Sequence, residues 1–237
     1  MRTTMWRRTV SVLLVGLAAA SVSGIGAHAA EKAKIVKALT LAKSVDASKP
    51  DAEIWAKVPV TKVSLQPAFP GHVAIVGAPR ITELAAQAVR TRDTLFVRLA
   101  WDDPAPNTER SNTSSFLDGA AIQFPVNGKT STTPFMGDAK NPVNVWYWRA
   151  DGRAENLVAG GFGTLDASVA QNVAAHGARS ARGWEVVLAR KLSASPTAGV
   201  DLSGRREIPI AFAAWDGANQ ERDGFKAVTL EWWRLRF

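Results

Sequence analysis

Ten short apolar runs, most of them alternating and each closed by a turn signal, leave this chain little choice but sheet. The runs are Lys57–Leu65, His72–Val76, Thr82–Val89, Thr94–Trp101, Gly119–Val126, Val143–Ala150, Val169–Ala175, Trp184–Lys191, Glu207–Trp215 and Ala227–Phe237. Few windows sustain the 3.6-residue stripe of an amphipathic helix. The alanines of Thr82–Val89 would tolerate a helix. The turn chemistry leading to Asp93 and the Leu95/Val97/Leu99 alternation beyond it predict a hairpin closed at Arg92-Asp93 instead. A second hairpin is expected across His176 to Gly183, and a longer, solvated loop from Asp216 to Gly224. So many strands in one domain predict an all-β fold of two packed antiparallel sheets.

Composition removes whole classes of chemistry. The 237 residues include no cysteine, which excludes disulfides, cysteine zinc sites, thiolate-held iron–sulfur clusters, thiol nucleophiles and CxxCH haem attachment. An apolar fraction of 46% argues against disorder.

Arg2, Arg7 and Arg8 precede an uncharged stretch from Val10 to Gly26, and Ala27-His28-Ala29 offers small residues around a cut. Residues 1–29 are expected to be a secretory signal cleaved near Ala29, leaving one domain over residues 30–237. The Arg7-Arg8 pair has a poor twin-arginine context, so ordinary secretion is the expected route. The apolar core falls short of the roughly 20 residues of a spanning helix, and no later stretch reaches that length, so no membrane span is expected. Loss of the three arginines takes 29 basic residues to 26 against 21 acidic ones, a formal +5. These cations are scattered, and nucleic acid is not an expected partner. Glu31 to Lys49 reads as a loosely held leader into the fold.

Few residues point to catalysis. His72 and His176 lie far from any serine in a nucleophile elbow, and there is no P-loop and no HExxH. Gly160-Gly161-Phe162-Gly163 lacks the spacing of a phosphate loop and reads as a turn. In the Asp216–Gly224 loop, a calcium register that begins at Asn219 places Leu230 where a bidentate acid belongs.

Met136 is the one methionine after the signal. It sits in Thr133-Pro-Phe-Met136-Gly-Asp138, bracketed by proline and glycine, just before Val143-Asn-Val-Trp146-Tyr-Trp148, in which Trp146 and Trp148 share a sheet face. A lone methionine is ordinarily a gap filler.

Two motifs carry a resemblance. Phe212-Ala-Ala-Trp215-Asp-Gly-Ala-Asn-Gln-Glu-Arg-Asp-Gly-Phe-Lys226 through Trp232, and Pro134-Phe-Met136-Gly followed by Val143 to Trp148, resemble signatures of the haem-b-binding gamma subunits of periplasmic molybdenum oxidoreductases. That family includes subunits of ethylbenzene and dimethylsulfide dehydrogenases and of chlorate and selenate reductases. Asp51 to Trp55 and Leu95 to Asp103 resemble the wider sandwich group that contains family-nine-like carbohydrate-binding modules.

The resemblance implies an antiparallel β-sandwich with long loops around a pocket for one non-covalent haem b. Met136 and Lys226 would be its axial ligands, and Phe135, Phe225, Trp146 and Trp148 the pocket walls. It also implies a periplasmic electron-transfer subunit with no catalytic residues of its own. Its partners would be a molybdopterin catalytic subunit, an iron–sulfur subunit and a soluble cytochrome or similar redox protein. A lysine must lose its proton to bind iron, which costs about 4 to 5 kcal/mol at neutral pH, and apolar burial supplies part of that shift. A thioether favours the ferrous state, and two protein ligands leave no open iron position. The alternative is a haem-free module that holds a glycan on tryptophan faces, as related sandwiches do.

Overall fold

The structure, a computed structural model, describes residues 34–68, 77–195 and 197–237. The expected signal segment and the expected strand His72–Val76 lie outside the described residues. Lys34–Phe237 forms one compact unit.

In chain order the strands are β1 (Ile35–Thr40), β2 (Thr61–Ser64), β3 (Gln66–Pro67), β4 (Glu83–Arg90), β5 (Thr94–Asp102), β6 (Gly119–Pro125) and β7 (Val143–Arg149). They continue with β8 (Ala154–Ala159), β9 (Asp166–Ala167), β10 (Ala174–Arg179), β11 (Gly183–Lys191), β12 (Glu207–Trp215), β13 (Ala227–Val228) and β14 (Trp233–Arg236). The hydrogen-bonded order is β10-β11-β5-β4-β1-β14-β12-β6-β7-β8-β9, with β2 on β4 and β13 joining β12 to β3. Pairing is antiparallel except at β1, whose first half runs parallel to β14 and second half parallel to β4. That strand stitches the two halves of the sandwich together.

Alternation builds the core. Ala120, Ile122 and Phe124 of β6, Trp146 and Trp148 of β7, and Ile208, Ile210 and Phe212 of β12 face Leu84 and Ala86 of β4, Leu95, Val97, Leu99 and Trp101 of β5, and Val186 and Leu188 of β11. Each fully buried Leu, Ile, Val or Phe contributes roughly 1.5–3 kcal/mol of burial. Trp148 is locked by edge-on contacts with Trp101 and Trp184 at 6.2 and 4.9 Å. It lies so close to Gly177 that a Cβ there would meet its ring at 2.2 Å. Trp146 donates its indole proton to Asn144 Oδ1 at 3.1 Å and lies under the Arg190 guanidinium, 4.8 Å from ring centroid to Cζ.

Several sequence expectations need correction. Within the described part of the expected leader, residues 34–49 are not loose: β1 lies among them, and Ala47 is buried with Trp55, Val58, Val89 and Phe96 on the outer face of the β4–β5–β11 sheet. The strand expected at Val169–Ala175 is displaced to Ala174–Arg179, so His176 belongs to β10 and the turn is shorter than expected, Ser180 to Arg182. Lys57–Leu65 opens with a 3-10 turn, Glu53–Lys57, before the short β2. Ala227–Phe237 is two strands, because β13 follows β12 and β3 while β14 turns to β1. The β4–β5 hairpin forms as expected.

Candidate functional site

The odd-numbered residues of β7 make up the opposite face of the sheet. There Ala121, Val143, Val145, Leu157 and Ala159 form a second apolar cluster, covered by Met136, Tyr147, Ala213, Trp215 and Trp232. Small side chains run across its floor: Ala213 of β12 pairs with Ala121 of β6, and Trp215 pairs with Gly119. Tyr147 occupies the room that Gly119 leaves, since a Cβ at that glycine would meet its ring edge and hydroxyl at 3.1 Å. The Tyr147 and Trp215 rings meet edge to face at 5.3 Å. Burial pushes the Tyr147 phenol up to about 12.

Met136 reaches this face from a loop fixed at three carbonyls. Trp232 Nε1 donates to Thr132 O at 2.7 Å, Gln123 Nε2 to Pro134 O at 2.8 Å, and the Gly161 amide to Met136 O at 2.9 Å. Met136 itself holds φ +64° and Gly137 φ +68°. A left-handed methionine costs on the order of 1 kcal/mol and persists only where its surroundings impose it. Hydrogen bonds from Asn141, with the Lys140 amide, hold the Asp138 carboxyl below the usual range and close the loop.

Lys226 arrives from the β12–β13 connection. Its carbonyl accepts from the Ala68 amide at 3.1 Å, and the next residue, Ala227, is fully buried between Ala214 and Pro67. Its Nζ stands 5.0 Å from the centroid of the Trp215 ring. Among the described residues this amine makes no hydrogen bond and no ion pair. Desolvation pulls its pKa down to about 8, with Asp223 opposing the shift.

The Asp216–Gly224 loop is not the solvated loop expected from sequence. Asp216 and Glu221 are 2% and 1% exposed. Asp216 Oδ1 caps the amides of Ala218 and Asn219, and Glu221 accepts from the Arg80 and Asp216 amides and from Asn219 Nδ2. Desolvation raises both carboxyls. This internal bracing delivers Lys226 to the sheet face.

Met136 and Trp215, the ring over which the Lys226 amine stands, both pack on this one sheet face. Phe135 and Phe225 stand beside them in the chain and are half-buried. Trp146 and Trp148 do not belong to this face: strict alternation along β7 sends them into the main core, on the far side of the sheet from Met136. The aromatic side chains on the Met136 face are Tyr147, Trp215 and Trp232. The sequence did contain their signal, because Val143 to Trp148 is apolar at both parities except for Asn144, the pattern of a strand covered on both faces.

A thioether, an amine disposed to lose its proton, and a floor of alanine and glycine between aromatic rings suit a flat apolar macrocycle with an iron at its centre. No group of three or more His, Cys, Asp or Glu able to hold a bare metal ion occurs among the described residues.

Comparison with known proteins gives the family. A family model described as ethylbenzene dehydrogenase matches residues 52–181. The gamma subunit of chlorate reductase from Ideonella dechloratans is 53% identical over 229 residues, covering 94% of this chain and 95% of that protein. A protein of Haloferax mediterranei named for the heme subunit of a respiratory nitrate reductase is 36% identical over 188 residues, covering 79% and 67%. In fold, the chain is similar to a family 9 carbohydrate-binding module from Caldicellulosiruptor kristjanssonii solved with glucose, at TM-score 0.52 and 10% identity, over 84% of this chain and 94% of that one. With a family match over more than half of its length and a relative this similar from end to end, the chain belongs to the ethylbenzene dehydrogenase family.

Proposed function

We propose that this protein is the electron-transfer subunit of a molybdenum-dependent oxidoreductase and holds one non-covalent haem b through Met136 and Lys226. The observation behind the reading is the Lys226 amine, partly buried on an aromatic face and hydrogen-bonded to nothing described, on the same sheet face as Met136. The names of the relatives, a gamma subunit and a heme subunit, support it.

Bound haem would supply a one-electron couple, and the chain's own residues supply the rest. Lys226 gives up its proton and offers the nitrogen lone pair, which its lowered pKa favours. Met136 offers sulfur, a soft donor that raises the reduction potential. Tyr147, Trp215 and Trp232 keep water from this face. Met136 and Lys226 would both be taken up in holding such a haem, and the group would serve electron transfer and offer substrate no place to bind. Conversion of substrate thus falls to a molybdopterin subunit, with an iron–sulfur subunit and a soluble cytochrome or similar carrier completing the route. A leader over residues 1–29 fits export to the periplasm. No helix among the described residues is long and apolar enough to cross a membrane.

The glycan-binding alternative needs tryptophans displayed to solvent. Trp55, Trp101, Trp146, Trp148 and Trp184 are buried, and Trp215, Trp232 and Trp233 half-buried. The deciding experiment is an absorption spectrum of the protein purified from a haem-replete host, oxidised and then reduced. Sharp low-spin bands with acid-extractable haem, altered in Met136→Ala and Lys226→Ala, are expected. A colourless protein that refuses added haem overturns the reading.

A further inference from the structure

At the end of this sheet face where Trp215 pairs with Gly119, the loops joining β5 to β6 and β12 to β13 bring up Arg110 and Arg222. Arg222 lies over the Phe116 ring, 4.5 Å from centroid to Cζ, and donates Nη1 to Gln220 O at 2.8 Å. Phe116 is itself packed against Gly217, where an added Cβ would meet its carbonyl at 2.1 Å, two residues after Trp215. Arg110 is exposed in the β5–β6 loop that also carries Phe116, and its charge opposes the rise of the Tyr147 pKa. Neither guanidinium has a carboxylate partner among the described residues. The neighbouring Arg149 differs, being engaged with Asp151 at 2.6 Å. Glu155 and Asp151 also act on Tyr147, and Asp223 on Lys226. Asp151 is thus already neutralised by its own arginine.

We propose that Arg110 and Arg222 bind the two carboxylates of the macrocycle held on this face, so that its propionate edge points toward the β5–β6 and β12–β13 loops. The inference rests on the haem reading above. Planar guanidiniums match carboxylates in two-pronged hydrogen bonds, and an arginine already fixed by stacking loses less freedom on binding. Arg222 is so fixed by Phe116.

The test uses the full mature protein, freed of haem and titrated with hemin and with hemin dimethyl ester, which has the same ring and iron but no propionate charge. The unaltered protein is expected to bind hemin about tenfold more tightly than the ester. In Arg110→Gln/Arg222→Gln that preference should fall to about twofold or less, with ester affinity and low-spin bands unchanged, while the remote Arg92→Gln keeps the full preference. Retention of the preference in the double variant overturns the assignment of these arginines and leaves the haem reading standing. Equal binding of both porphyrins by the unaltered protein also overturns it, and would fit arginines that serve an acidic protein partner. Failure of the unaltered protein to bind either porphyrin overturns both readings. Each arginine is on the surface, so the variants should keep the unaltered unfolding midpoint; Arg222→Lys, which keeps charge but loses the fork, should restore only part of the preference.

Discussion

The Lys226 ammonium sits above the Trp215 ring at 5.0 Å from its centroid, a cation held by a π face and by no carboxylate. Such a contact compensates only about 1–2 kcal/mol of desolvation, and the remainder appears as the fall in pKa from an ordinary 10.5 to about 8. In the unfolded chain this lysine keeps its proton up to about pH 10.5, in the fold only to about pH 8. Between those values the unfolded state binds the extra proton, so the haem-free protein gains stability as pH rises from 8 to 10.5 and bears the full penalty below 8. Lys226→Met should therefore stabilise the haem-free protein at pH 7 by about 1–2 kcal/mol, after discounting for partial exposure, and by little at pH 10.5. Urea unfolding at the two pH values checks this. Haem affinity should rise about tenfold per pH unit below 8 and level off above it.

Met136 invites a comparison of two substitutions. Both Met136→Ala and Met136→Gly delete the sulfur and should change the haem spectrum. Alanine must keep φ +64°, whereas glycine adopts that angle freely. The glycine variant of the haem-free protein should be more stable than the alanine variant by about 1 kcal/mol. Equal urea midpoints would show that the loop relaxes around alanine.

The two faces of β7 should separate fold from site. Trp148→Ala should cost about 3–5 kcal/mol, because it opens a cavity between Trp101 and Trp184. Trp146→Phe should lower stability while leaving the affinity for haem as it was. Trp215→Ala should do the reverse, with modest loss of stability and weakened haem binding. A spectrum that responds to Trp146→Phe as strongly as to Trp215→Ala would refute this division.

A buried acid elsewhere gives a pH signature of its own. Asp103 is 2% exposed, and its Oδ2 has no hydrogen-bond partner. Burial and then the neighbouring Asp118 raise its pKa to about 6. The fold binds the extra proton between about pH 4 and 6, so this group's contribution to stability declines over that window and its penalty is complete above pH 6. Asp103→Asn should stabilise the protein at pH 7 by about 1–2 kcal/mol and change little at pH 4. Thermal melts at both pH values are sufficient.

The strands that alternate cleanly were legible in the sequence. Glu207–Trp215 lies where its pattern placed it, and Thr94–Trp101 and Gly119–Val126 differ only at their ends. β1 was not, because its pairing is parallel and remote, with Ile35 opposite Arg234 and Thr40 opposite Arg90, and no local turn announces it. β8 was missed because Glu155 and Asn156 interrupt its apolar run, although Asn156 is fully buried and donates to three acceptors from loops near and far. At the candidate site, the motifs marked Met136 and Lys226, and the parity of β7 marked Trp146 and Trp148 as sharing a face. Which side of the sheet Met136 would reach is a matter of loop path, set by hydrogen bonds to Gln123, Gly161 and Trp232, and residue spacing holds no record of it.

Those three anchors have a mechanical meaning. The carbonyls of Thr132, Pro134 and Met136 are tied respectively to the segment before β14, to β6 and to the turn after β8. A loop whose backbone is clamped by three separate parts of the sandwich would hold its methionine in place while the proposed haem gained or lost an electron. The speed of the proposed electron exchange would then be left to the distance and orientation of whatever docks outside.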